Sequence, residues 1–166
     1  MRGEWTAELV TIEPTRLMQL HRGGPATEPG WVPGDCYRTT LGCLVACSSP
    51  QQVPHFAELA EVCLGPRLGW HAIRLARQWL REELGIDLMV VDPAAAAGYG
   101  VPYLATVDSK SGPWFHSVLA QDDEVIHDPS GKLDLYLGTE IVQAEVLCAM
   151  YDPAPDEMVR LWAAAA

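Results

Sequence analysis

The sequence predicts an α+β fold, with helices first and an antiparallel β-sheet after them. Three observations carry this. Leu68 to Leu84 repeats apolar side chains at helical spacing, through Ile73, Ala76, Leu80 and Leu84, with Trp79 widening the stripe. Cys36 to Cys47 is an apolar run that opens after a loop rich in Gly and Pro, and a helix so apolar belongs in the interior. From Ile86 onward, short β-prone runs alternate with turn residues. Runs of helices followed by runs of strands read as α+β rather than doubly wound α/β.

Taken in order, Ala7 to Ile12 has the character of a short strand and Thr15 to His21 that of a helical turn. The stretch holding Gly23, Gly24, Pro25, Pro29, Gly30, Pro33 and Gly34 is an irregular approach to Cys36. The first helix is expected over Cys36 to Cys47, with Cys36, Thr40, Cys43 and Cys47 on one stripe. Ser48 to Pro54 breaks it, and Phe56 to Leu64 reads as a second helix stopped by Gly65-Pro66. Leu68 to Leu84 is the third, ended by Gly85 as a C′ residue. Strands are expected at Ile86–Val91, Tyr103–Val107, Trp114–Ala120, Glu124–Asp128 and Ile141–Met150. Asp92 to Gly100, with four Ala and two Gly, reads as a mobile loop, and Pro155 to Ala166 as a terminal helix. No repeat or linker interrupts the chain. It is read as one domain over 1–166: an irregular segment 1–33, a core 34–150 and a C-terminal helix 151–166.

The length of 166 residues suits a single core, and 49% hydrophobic with 20% charged residues is an ordinary globular mix. A net charge of −11 argues against nucleic acid or an anionic membrane as the main partner. Five Cys is an odd number without a disulfide pattern, which points to a reducing compartment. Met1-Arg2-Gly3-Glu4-Trp5 leads into no apolar signal region, and no run approaches the length of a membrane span. The expectation is a cytoplasmic protein, with its oligomeric state left open.

Cys36 stands at a helix start with Asp35 as its expected N-cap. A thiol in the first turn faces unpaired N–H groups and the positive end of the dipole, and both favour the thiolate. Asp35 also opposes ionisation by placing a carboxylate beside the sulfur. A nucleophile needs a base, and the base needs an orienting group. His116 and Asp128 supply both. With Gln121-Asp122-Asp123 as a three-residue hairpin loop, Ala120 pairs with Glu124 and His116 falls opposite Asp128. Opposed residues have Cβ atoms ~4.5–5.5 Å apart. A two-residue loop would instead pair Ser117 with Asp128. His127 lies on the other face by alternation and reads as structural. His55 and His71 read as helix-start or surface residues. Trp31 and Trp114 flank the candidates and suit either cleft walls or core.

Gly34-Asp35-Cys36, Val53-Pro54-His55-Phe56, Pro102-Tyr103, His116 and His127-Asp128-Pro129-Ser130 together resemble the papain-like cysteine peptidase superfamily. The Asp35-Cys36 pair is similar to that of its C39-type, bacteriocin-processing branch, and the set is similar to small proteins of phages and bacteria. The resemblance covers roughly residues 34–150. It implies a papain-like fold in which the nucleophile opens a helix packed on a C-terminal antiparallel sheet. It implies Cys36 as nucleophile, His116 as base and then acid, and Asp128 as orienter. It implies a peptide or protein substrate and, for a phage protein, the host cytoplasm. The chain departs from the pattern in two places. No Gln lies within Pro29 to Asp35, and Tyr37 follows the Cys where the C39-type pattern has Gly. The oxyanion hole then rests on the Cys36 N–H and a second donor that the sequence does not identify.

Two other readings stand beside this one. The first is a papain-like scaffold that binds a protein partner, with weak or absent catalysis. The second is a metal site of Cys36, Cys43, Cys47 and His55. Its C-x6-C-x3-C spacing lacks the close pair of structural zinc sites, and three Cys on one stripe are more simply core. The expectation is therefore no metal and no cofactor. Singly, each triad residue also has a structural reading: a buried Cys, a satisfied strand His, and an Asp in an Asp-Pro turn.

Overall fold

A computed structural model describes residues 8–21, 34–56 and 66–150. Helix α1 (Cys36–Leu44) comes first, then a 3-10 turn at Pro50–Gln52 and the long helix α2 (Pro66–Leu84). Strand β1 (Ile86–Val91), helix α3 (Pro93–Gly98) and strands β2 (Tyr103–Asp108), β3 (Phe115–Gln121), β4 (Glu124–His127) and β5 (Ile141–Ala149) follow. The strands form one sheet in the order β1-β5-β2-β3-β4, every pair antiparallel. The fold is α+β. The expected second helix at Phe56–Leu64 falls, beyond Phe56, outside the described residues, as do Trp31, Cys63 and the expected terminal helix.

The two faces of the sheet carry different residues because they meet different partners. Leu88, Leu104, Leu119 and Leu147 pack with Leu41 and Leu44 of α1 and Ala76 and Leu80 of α2. The opposite face is mostly Val and Ala (Ala105, Val107, Val118, Ala120, Ala144, Val146), packed with Ala96 of α3 and with Tyr136. Small side chains there let the Ala-rich α3 approach closely. α3 replaces the expected mobile loop: Asp92 caps it by accepting from the Ala94 N–H at 2.8 Å, and Pro93 occupies its first turn.

α2 begins at Pro66, two residues before the expected Leu68, with proline in its first turn. Its expected end holds, with Gly85 at φ +65°. Arg77 and Arg81 both reach the fully buried Asp87 of β1, at 2.9 and 2.7 Å, tying helix to sheet. The two guanidinium groups hold the Asp87 carboxyl below its ordinary range against the upward push of burial.

α1 ends at Leu44, one turn short of the expected Cys47. Ala46 takes φ +60°, its N–H goes to Cys43 O, and the Cys47 N–H goes to Gly42 O. This is a Schellman closure with alanine where glycine is usual. The expected turn at Thr15–His21 is instead a strap. Its Thr15 N–H goes to Cys43 O, its Leu17 N–H to the Cys43 sulfur and its Gln19 N–H to Pro129 O. Those donors leave the segment, so no helix forms. Leu17 Cδ1 would lie 3.2 Å from a Cβ at Gly42, so the glycine lets the strap come close. Upstream, Leu9 makes only a single bridge to Cys148 in place of the expected strand.

Candidate active site

Cys36 is the first residue of α1, which lies against β3 and β2. Thr40, one turn on, donates to Ser117 O at 3.1 Å and registers the helix on the strand. Asp35 occupies the N-cap position, but its side chain makes no cap hydrogen bond. Its buried carboxylate accepts from the Leu20 and His21 N–H groups and pairs with Arg38 at 3.2 Å. The Asp35 carboxylate is thereby committed to Arg38 and to the strap. No side-chain cap therefore takes up the N–H groups at the α1 N-terminus.

The hairpin differs from its expected register. The loop is the two-residue Asp122-Asp123, with Asp122 at φ +55°, and it pairs Gln121 with Glu124 and Ala120 with Val125. A bulge then shifts the ladder, so Leu119 faces His127. One step on, Val118 rather than His116 would stand opposite Asp128. His116 is the diagonal neighbour, within reach of a long side chain. The contact forms all the same: His116 Nε2 lies 2.6 Å from Asp128 Oδ1.

Asp128 lies beyond the end of β4, in a turn closed by Gly131 N–H to Asp128 O. Its carboxylate also accepts from the Ser130 N–H at 2.9 Å, the Lys132 N–H at 2.8 Å and the Ser130 hydroxyl. Burial pushes its carboxyl up, but His116 and these donors hold it well below the ordinary range. An ionised Asp128 takes the proton on Nε2, which leaves Nδ1 for the thiol.

Cys36 and His116 shift each other's titration through hydrogen bonding and charge. Burial pushes the thiol up. The hydrogen bond and charge of His116 pull it down, with help from the backbone and side chain of Ser117, and the net shift is downward. Burial pushes His116 down, and Asp128 and Cys36 outweigh it, raising the imidazole to about 10. The three expected residues are thus brought together in one chain of polar contacts. Tyr136 packs on the imidazole, ring centroids 5.1 Å apart, and its hydroxyl accepts from the Lys110 N–H.

The remaining candidates lie elsewhere. His127 donates through Nε2 to Leu17 O at 2.7 Å and is structural, as expected. His55 is buried, with its ring 6.1 Å from that of His21. Cys43 is buried against the strap, and Cys47 lies outside α1. Among the described residues no group of three or more His, Cys, Asp or Glu is placed to hold a metal ion. Among them also, no helix is long and apolar enough to cross a membrane. Ser117, Ser130 and Tyr136 carried no role in the sequence reading. Of these only Ser130 left a signal, as the serine two residues after an Asp, an Asx-turn pattern.

No family model, curated protein or solved structure matches the chain.

Proposed function

We propose that this chain is a cysteine-dependent hydrolase on a papain-like scaffold, cutting an amide or peptide bond through Cys36, His116 and Asp128. The observation that carries the proposal is a buried imidazole joined on one side to an ionised Asp128 and on the other to a thiol at a helix N-terminus. The Cys36 thiolate attacks the carbonyl carbon and the oxyanion develops toward the α1 N-terminus. His116 then gives its proton to the leaving amine. Water, activated by the neutral imidazole, releases the acyl group from sulfur. Asp128 keeps the imidazole oriented and stabilises its charged form.

Iodoacetamide labelling of the native protein tests this. Cys36 is expected to react near neutral pH well ahead of Cys43, Cys47 and Cys148, whose thiols burial pushes up, Cys148 to about 11. His116→Ala is expected to slow it. Uniform slow labelling, or a Cys36 rate indifferent to His116→Ala, favours the second reading, a scaffold that binds a protein partner. The exposed Phe115, the residue before His116, suits that reading as well.

A further inference from the structure

The polar contacts of the His116 imidazole go to Asp128 and Cys36. Its ring surface goes to Tyr136. The two ring centroids lie 5.1 Å apart, and a tilt of 32° sets the rings closer to face-to-face than to edge-on. That separation falls within the usual range for packed aromatic pairs, and within reach of an attraction between a cation and a π face. His116 is 8% exposed, and burial works against its charged form.

Tyr136 is built into position. It closes the 3-10 turn Leu133–Leu135, where its N–H goes to Leu133 O at 2.9 Å and its carbonyl accepts from the Thr139 N–H at 3.2 Å. At the far end of the side chain, the hydroxyl accepts from the Lys110 N–H at 3.2 Å, in the loop between β2 and β3. The ring is therefore held at both ends. Its chain neighbours Leu135 and Leu137 are 53% and 60% exposed, whereas Tyr136 is 3% exposed. Hydrophobicity has not drawn the segment inward as a whole. One ring goes in, and it meets the base of the triad.

We infer that Tyr136 is a positioning residue of this site: its ring fixes the plane of the His116 imidazole, and its π face stabilises the imidazolium that pairs with the Cys36 thiolate. The inference rests on the hydrolase reading. Tyr136 acts through His116. Packing against the ring hinders rotation of the imidazole, so Nε2 stays on Asp128 and the other nitrogen is left for the thiol. The π face favours the charged pair over the neutral one by about three- to tenfold.

Iodoacetamide labelling of Cys36 against pH, read by peptide mapping, tests it in three variants. Tyr136→Phe keeps the π face and is expected to stay within about twofold of the native rate at each pH. Tyr136→Leu keeps an apolar side chain and loses the face. Its onset is expected about 0.5–1 pH unit higher, with the neutral-pH rate about three- to tenfold lower. Pentafluorophenylalanine at position 136 fills nearly the space of Phe, but its fluorines draw electron density off the ring face. It is expected to move the onset as Leu does, and it decides the matter should Tyr136→Leu not fold. A Tyr136 that only packs would lower stability in the Leu variant and leave the onset in place in all three. An unchanged onset in the fluorinated protein, or a Phe variant displaced as far as the fluorinated one, would overturn the inference. Either result alongside fast labelling of native Cys36 removes the role of Tyr136 alone. Slow labelling of native Cys36 takes the hydrolase reading down with it.

Discussion

Replacing Glu145 by Gln should make the protein more stable at neutral pH, and by an amount that depends on pH in a stated way. Glu145 sits in β5 beneath α1, 1% exposed, where Oε1 accepts from the Tyr37 hydroxyl at 2.8 Å and Oε2 has no partner among the described residues. Burial raises its carboxyl from 4.5 to about 8, against a smaller downward pull from Tyr37. The folded protein therefore holds a proton that the unfolded chain has released between those two values. Unfolding in that window releases a proton, so stability falls as pH rises. The contribution is fully present below about pH 4.5 and is lost progressively up to about pH 8. One pH unit corresponds to about 1.4 kcal/mol, so the cost at pH 7 is about 3 kcal/mol. The glutamine side chain has nearly the same shape and no such dependence. Urea denaturation of both proteins from pH 4.5 to 8.5, followed by tryptophan fluorescence, measures the difference directly. Other titrating groups, His116 and Asp128 included, are common to both and cancel. The variant is expected to match the native protein near pH 4.5 and to gain about 1.4 kcal/mol per unit up to pH 8. A difference that does not change with pH would refute the reasoning.

Asp128→Asn should keep the fold while lowering the imidazole from about 10 toward its ordinary 6.5, because the amide no longer stabilises the imidazolium. The onset of Cys36 alkylation should move to higher pH, so the profile loses its lower range and the neutral-pH rate drops about tenfold or more; an unchanged profile would assign the orienting role to another group. Ala46→Gly should stabilise the protein by about 1 kcal/mol in thermal or urea unfolding, because Ala46 holds φ +60° at the α1 terminus; destabilisation would mean that its methyl group matters more than its backbone. Asp87→Asn should cost about 3–5 kcal/mol, since it takes from Arg77 and Arg81 the buried charge they share; a loss below about 1 kcal/mol would show that solvent already screens the pair.

Local pattern was enough for much of this protein. The 3.6-residue period of Ile73, Ala76 and Leu80 placed α2, and β-branched runs bounded by Gly and Asp placed all five strands to within a residue or two. The Gly-Pro approach to an apolar run marked Cys36 as the start of a helix, because breaker and capping chemistry is local. The choice of His116 and Asp128 came from their sharing a hairpin, and they do meet. The route by which they meet was decided by tertiary structure. A two-residue loop and a bulge carry His116 off the directly opposed position, and only the length of the imidazole and the turn built around Asp128 close the gap. Register depends on a single residue of loop length, and composition reports that poorly. Asp35 shows the same limit: its sequence position marks a cap, yet its carboxylate serves Leu20, His21 and Arg38. The strap at 15–21 and the contacts of Ser117 and Tyr136 join residues that lie far apart along the chain. No periodicity encodes such contacts. They exist only once the packed core has brought the strand ends and the α1 N-terminus to one place.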